Sequence, residues 1–389
     1  MTLCLLLPWL TACSTPQKNE PPKPLETAFA NALKRFQAEF DLPGITASYV
    51  LPNAARYSAA AGWADIEQSR PMTVESRMLA ASIGKSFVAA TMVSLAREQT
   101  IDLDVPVSYW LGRNSWFQRL PNHRSMTLRQ LLNHTSGLPN HVYLPSFAAS
   151  VSKQWNAAGN PFTPEVLVSF VLDSEQLFPA GEGWAYSDTG YILVGLVIEA
   201  ITGRTYYQVL SDRFLGPLDL ASTSPSSQRS LPGLAAGYVA GDNPFGFPGK
   251  TTDENGVMVW HPGLEWTGGG LISTSSDLAR WGDALFSGNA LADQELKTML
   301  NAVPIDPTMP GIYYGLGVAI SRSGPLSPVY GHGAWIPGYS SSLRHYVTSG
   351  ITIAFQVNSD LISQSALSEI EQCLASVVIS SGQNTACIP

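Results

Sequence analysis

Ser82-Ile-Gly-Lys85-Ser-Phe-Val-Ala-Ala-Thr-Met-Val-Ser-Leu-Ala96 is the stretch on which the reading of the chain turns. Residues three apart share one side of a helical turn, so the Lys85 amine can reach the Ser82 hydroxyl it must activate. The apolar, Ala-rich run from Phe87 to Ala96 predicts a buried helix. Ser82 stands at its N-terminus, after Arg77-Met-Leu-Ala-Ala81, where free amides and the helix dipole favour developing negative charge. The same spacing recurs at Ser150-Val-Ser-Lys153. That copy lies between Asn140-His-Val-Tyr-Leu-Pro145 and Asn156-Ala-Ala-Gly-Asn-Pro161, a loop-like context with no helix to orient it, so Ser82 is the candidate nucleophile.

Two more segments bear chemistry. Tyr186-Ser-Asp188 follows the turn-rich Phe178-Pro-Ala-Gly181 and leads into a helix. His332-Gly-Ala334 lies within Tyr330-Gly-His-Gly-Ala-Trp-Ile-Pro-Gly-Tyr339, where small residues let a substrate lie against strand backbone. Singly they are bland, since a tyrosine near a helix start usually packs and a lone histidine is usually a satisfied core or surface residue.

Taken in order, the three motifs resemble those of the serine β-lactamase and penicillin-binding family, most closely the branch of class C β-lactamases, D-Ala-D-Ala carboxypeptidases and D-aminopeptidases. That branch carries Ser-x-x-Lys, then Tyr-x-Asn, then Lys-Thr-Gly or His-x-Gly. Leu131-Leu-Asn-His-Thr-Ser-Gly-Leu-Pro139, Tyr191-Ile-Leu-Val-Gly195, Gly216-Pro-Leu-Asp-Leu220 and Gly268-Gly-Gly-Leu271 resemble its recurring segments, and the likeness runs from about Pro43 to Asn358. It implies an α/β (α+β), β-lactamase/transpeptidase-like fold, an antiparallel sheet flanked by helices with an inserted helical lobe. By the same likeness Ser82 is acylated while Lys85 and Tyr186 relay its proton. The ammonium is expected to favour a Tyr186 phenolate, the base best placed to take it. The amides of Ser82 and Trp335 would form the oxyanion hole. Gly333 and Ala334 would line the substrate strand, and His332 would bind a substrate carboxylate or hold the Tyr186 network.

The chain takes the histidine form of the third motif and departs from the pattern at two positions, Ala334 and Asp188. His332 in place of Lys disfavours a dedicated β-lactamase. Ala334 replaces a glycine and adds a methyl beside the substrate. Asp188 replaces Asn, and a carboxylate accepts but cannot donate, so it is expected to hold Lys85 as an ammonium and leave Tyr186 as the base; the alternative is that Asp188 caps the helix opening at Thr189. The expected function is acyl-enzyme hydrolysis of amides or esters, D-amino-acid peptides or small esters in the cell envelope. The alternatives are a β-lactamase and a non-catalytic protein that binds or senses cell-wall peptides.

The 389 residues exceed what one core usually serves, so two lobes are expected, about 25–99 with 265–389 and a helical lobe of about 100–264. Charged residues are 13%, near half the usual ~25%, and the net charge of −8 without a basic cluster argues against nucleic acid. A small-molecule or peptidoglycan-peptide substrate and a monomer are expected. No Gly-x-Ser-x-Gly, His-Glu-x-x-His or Walker motif occurs, and six scattered histidines lack ligand spacing, so neither metal nor cofactor is expected. Leu3-Cys-Leu-Leu-Leu-Pro-Trp-Leu10, too short to span a bilayer, ends in Leu10-Thr-Ala-Cys13. That tetrapeptide resembles a bacterial lipoprotein box: residues 1–12 would be a signal peptide, Cys13 the lipidated residue and 13–24 a tether, placing the protein on a membrane facing the periplasm. Ser14 resembles the next residue of outer-membrane lipoproteins. Cys373 and Cys387 then remain, either as free thiols or as a pair closing a loop of about 15 residues, worth roughly 3 kcal/mol.

Apolar spacing predicts a helix over Leu25 to Phe40, strands at Pro43–Leu51, 54–62, Tyr314–Ile320, Ser340–Val347 and Gly350–Val357, a buried helix at Gly190–Thr202 and a closing helix near Ser363–Ser380. Strands from both ends must then share one sheet, with the helical lobe inserted between them.

Overall fold

The computed structural model describes residues 22–155, 157 and 159–382. Cys13 and the expected signal and tether up to residue 21 lie outside them, as does Cys387; Cys373 is disulfide-bonded. The first helix, α1 (Lys23–Glu39), leads into β1 (Gly44–Val50), β2 (Arg56–Asp65) and β3 (Arg70–Pro71). Short β4 (Met78–Leu79), β5 (Ser224–Pro225) and β6 (Leu271–Ser273) form a separate three-stranded sheet. β7 (Val303–Pro304), β8 (Ile312–Tyr314), β9 (Ala319–Ser321), β10 (Val329–Ile336), β11 (Tyr339–Tyr346) and β12 (Ile351–Val357) complete the main sheet. Its nine strands run β3-β2-β1-β12-β11-β10-β9-β8-β7, each antiparallel to its neighbours. The two chain ends meet where Ile45 pairs with Val357.

Alternation along β1 shows why the sheet is covered on both faces. Ile45, Ala47 and Tyr49 join Phe29, Leu33 and Phe36 of α1 and Leu374 of the last helix in one buried cluster. Ser48 points the other way, and its hydroxyl hydrogen-bonds Ser275 at 2.9 Å. The expected strand at Tyr314–Ile320 is two strands, β8 and β9. Gly317 takes φ +69 between them, and a Cβ there would lie 2.6 Å from the Lys85 carbonyl, so the turn is what lets this edge approach the Lys85 helix.

That helix is α2 (Gly84–Glu98), buried on nearly every side. The inserted segments α3 (Ser108–Leu111), α4 (Leu128–Leu132), α5 (Pro145–Gln154), α6 (Pro164–Ser169), α7 (Asp188–Thr202) and α8 (Tyr206–Leu210) form the helical side, against which α2 packs through α7 and α8. α9 (Ser275–Phe286), α10 (Asp293–Met299) and α11 (Gln364–Ile379) close the fold, α9 on one sheet face and α11 with α1 on the other. Trp281 of α9 stacks on Phe87 at 3.9 Å between ring centroids and donates to Ser86 Oγ at 2.8 Å, fixing the turn that holds Lys85.

Contrary to the loop expected there, Ser150 and Lys153 sit on α5. Pro145 starts this helix, while Phe147 and Val151 bury its inner side. Lys153 is exposed, and the Ser150 hydroxyl accepts from Gln154 at 2.9 Å, away from any catalytic partner.

Candidate active site

Ser82 lies in a 3₁₀ turn, Ala81–Ile83, that runs straight into α2. Ala81 adopts φ +44, a region costly for a residue with a side chain, and the strain sits one residue before the hydroxyl. The turn is held from outside: the Ala80 amide donates to Leu271 at 2.8 Å, and Gly269 packs so closely that a Cβ would stand 2.6 Å from the Ala81 carbonyl.

Lys85 is fully buried. An ammonium there must be paired and hydrogen-bonded, and it donates to Asp188 Oδ1, to the Gly268 carbonyl and, at 3.1 Å, to Ser82 Oγ. It also stands 4.9 Å above the centre of the Tyr186 ring. Tyr186 donates to Ser82 Oγ at 2.9 Å. Ser82 and Lys85, Tyr186 and Asp188, and the Gly268 carbonyl thus come together from three separate segments.

Asp188 does not act as the helix cap. Ser187 occupies that position, and Asp188, the first helical residue, turns its carboxylate onto Lys85 while Oδ2 accepts from Asn140 at 3.1 Å. Burial alone would raise its carboxyl, but Lys85 outweighs burial, and the net pKa is below the ordinary value. Residues 133–141 cradle this corner. His134 Nδ1 accepts from the Ser187 amide at 3.1 Å with its ring 4.2 Å from that of Tyr186, and the Pro139 carbonyl accepts from Ser187 and Thr189.

The expected Tyr186 phenolate is not favoured, and of the two roles expected of His332 the geometry favours the second. Burial pushes the Tyr186 phenol well up, and Asp188 raises it further; the Ser82 hydrogen bond opposes them without cancelling them, so the resting group is the phenol. His332 is also buried. Its Nε2 accepts from Tyr314 at 2.8 Å, and burial followed by the nearby Lys85 charge pushes it down to about 3. A neutral imidazole offers a substrate carboxylate no charge. Its place is beside the tyrosine network, with its ring 6.2 Å from that of Tyr186.

Beyond Gly331, β10 pairs among the described residues only with β11, so within them the other edge of His332–Ile336 is free of strand pairing beside Ser82. Gly333 is exposed, Ala334 buried, and the Trp335 ring half-exposed. These residues line a cavity of about 540 Å³ together with Ser82, Tyr186 and Asp188. Tyr143, Phe147, Phe245 and Leu264 make part of its apolar wall. Four acidic side chains also line it: Asp188, paired with Lys85; Glu371, paired at 3.0 Å with Arg344; and Glu265 and Asp360, which have no cationic partner among the described residues. Sequence reasoning did not single out Asn140, Tyr314, the Gly268 carbonyl or Glu265. Only the run of three glycines at 268–270 signalled that backbone must pass close to something there.

An antiparallel sheet between helical layers, with a serine and a buried lysine on one turn facing a tyrosine from the helical side, defines a β-lactamase/transpeptidase-like fold. The chain belongs to the Beta-lactamase family, which it matches over residues 29–371. It is 27% identical to penicillin-binding protein 4* of Bacillus subtilis, over 78% of this chain and 65% of that protein. A D-aminopeptidase of Cereibacter sphaeroides is 23% identical over 88% of this chain and 62% of its own. The chain therefore spans less than two thirds of these curated relatives. Among solved structures, a D-stereospecific amidohydrolase from Streptomyces sp. shares 29% identity at a TM-score of 0.76, and a D-amino acid amidase from Ochrobactrum anthropi SV3 shares 26% at 0.75. Each match covers 93% of this chain and 99% of the other. Family and neighbours support a hydrolase.

Proposed function

We propose that this protein is a serine hydrolase that forms an acyl-enzyme on Ser82 from amides or esters of amine-bearing acyl groups, such as D-amino-acid amides and peptides with an N-terminal D-residue. The observation that carries this reading is the set of acids lining the cavity beside Ser82: Asp188 and Glu371 are paired with Lys85 and Arg344, whereas Glu265 and Asp360 have no cationic partner among the described residues, and no lining cation is left over for a carboxylate. Such walls favour a substrate ammonium and disfavour the free carboxylate that a carboxypeptidase must hold. The names of the D-aminopeptidase and D-amino acid amidase relatives point the same way.

In the resting site both Lys85 and Tyr186 donate to Ser82 Oγ, so one proton must leave the lysine–tyrosine pair before a base exists. Once it has left, Ser82 Oγ bonds to the substrate carbonyl carbon as its own proton passes to Tyr186. The carbonyl electrons move to an oxyanion held by the Ser82 and Trp335 amides. Collapse breaks the bond to the leaving amine or alkoxide, which takes the Tyr186 proton; water then repeats the sequence and frees Ser82. Cys13 would carry the lipid that fixes the enzyme to the envelope membrane.

A hydrolysis panel tests the reading. D-Phenylalanine p-nitroanilide and small p-nitrophenyl esters should turn over, whereas nitrocefin and an N-acylated peptide ending in D-Ala-D-Ala should react little. Turnover of either of the latter pair ahead of the amine-bearing amide would refute it. Labelling by a fluorophosphonate, lost in Ser82→Ala, separates an enzyme from a binding protein.

A further inference from the structure

Glu265 is a carboxylate that the catalytic network does not use. Its backbone is fixed, for it closes the turn Pro262–Leu264 and opens the turn Trp266–Gly268, with the Gly268 amide donating to its carbonyl at 2.7 Å. Three residues later the Gly268 carbonyl takes the Lys85 ammonium, so the same short segment positions both groups. Its carboxylate lies against the nucleophile's turn: a Cβ on Gly269 would be 2.6 Å from both Glu265 Oε1 and the Ala81 carbonyl. The side chain lines the cavity, yet Oε2 is buried without a hydrogen-bond partner among the described residues, the one carboxylate oxygen in that condition. Burial pushes the group up to about 8; Lys85 works against this shift and Asp188 adds to it.

A buried carboxylate oxygen left unpaired is costly and calls for a partner. The other cavity carboxylates already have theirs: Asp188 has Lys85 and Asn140, Asp360 accepts from the amides of Ala240 and Gly338, and Glu371 pairs with Arg344. We propose that Glu265 accepts the α-ammonium of the substrate and thereby makes the cavity select amine-bearing acyl groups over neutral ones of the same shape. This rests on the amine-bearing substrate reading above and adds the residue that enforces it. An ammonium supplies the missing donors and favours the ionised carboxylate over the acid, so the group is matched to a cation.

The test compares D-phenylalanine p-nitroanilide with its desamino analogue, 3-phenylpropionyl p-nitroanilide, on the wild type and on Glu265→Gln. Glu265→Gln should reduce the kcat/KM preference for the amine about ten- to a hundredfold, the size of a charge-assisted hydrogen bond, and Glu265→Asp should keep part of it. A preference that survives Glu265→Gln within twofold overturns the assignment while leaving the amine-bearing reading in place. A wild type with no preference overturns that reading itself. Equal losses on both substrates overturn the assignment, because they indicate a general role. Carbodiimide coupling of the wild type, mapped by peptide mass spectrometry, is independent of any variant. D-Phenylalanine amide should protect Glu265 and 3-phenylpropionamide should not; coupling at Glu265 that the amine does not slow overturns the proposal.

Discussion

Asp188→Asn is the substitution that most directly separates the electrostatics of this site from its geometry. Lys85 is fully buried, and its ammonium has Asp188, the Gly268 carbonyl and Ser82 as partners. An asparagine keeps one oxygen for Lys85 but turns an NH₂ toward Asn140, whose own Oδ1 already accepts from the Val142 amide at 3.2 Å. Removing one charge of a buried pair costs about 3–5 kcal/mol, and the retained hydrogen bond offsets roughly 1–2 kcal/mol. The net is a loss of about 1–4 kcal/mol, read in a chain of 389 residues as a Tm lower by roughly 1–5 °C. The second effect is kinetic. The Asp188 charge is one of the causes that raise the Tyr186 phenol, and a neighbouring charge moves a pKa by about 1–3 units. Without it the proton that must leave the lysine–tyrosine pair leaves more easily, so the rising limb of kcat/KM against pH should move to lower pH by about one unit. The assay is p-nitrophenyl ester hydrolysis from pH 6 to 10.5 beside thermal melting. A limb that stays in place, with Tm unchanged, would sink this account of Asp188.

Ser82→Ala and Lys85→Ala should remove nearly all turnover, and Tyr186→Phe most of it, whereas Ser150→Ala should match the wild type; full activity in Tyr186→Phe would refute the proton relay. Gly269→Ala puts a methyl 2.6 Å from the Ala81 carbonyl, so it should cost about 1–3 kcal/mol by overpacking and lower kcat more than tenfold; wild-type melting and rates would show that the Ser82 turn is not held there. Burial pushes His332 down to about 3, and His141 and His345 to about 4. Each is a base whose folded pKa lies below its unfolded value, so its contribution is complete above about pH 6.5 and is lost as pH falls toward its folded pKa. That amounts to about 2 kcal/mol per histidine at pH 5. Melting should therefore drop between pH 7 and 5, and a flat Tm over that range would contradict the buried neutral state.

Ser82 and Lys85 were legible together because spacing within one helical turn is local geometry, and the alternation in β1, β11 and β12 is local as well. Linking Ser82 to Tyr186 and His332, more than a hundred residues apart in each step, needed the order of three motifs and the family they resemble. That resemblance also supplied the antiparallel sheet and inserted helical lobe. The Ser150 copy looked like loop because small and polar residues surround it, yet Pro145, Phe147 and Val151 suffice for a helix once a core receives them. At Tyr314–Ile320 the apolar run concealed a turn imposed by the approach of α2. Ionisation was the least legible property. Lys85 beside Tyr186 suggests a phenolate when only the two residues are considered, but desolvation and Asp188 together favour the phenol, and the same burial leaves His332 neutral. Residues such as Tyr314, Asn140 and Glu265 belong to no local pattern at all. Periodicity and motif spacing encode what neighbours along the chain can do, whereas burial, charge proximity and an unpaired carboxylate arise only when distant segments exclude water from one another.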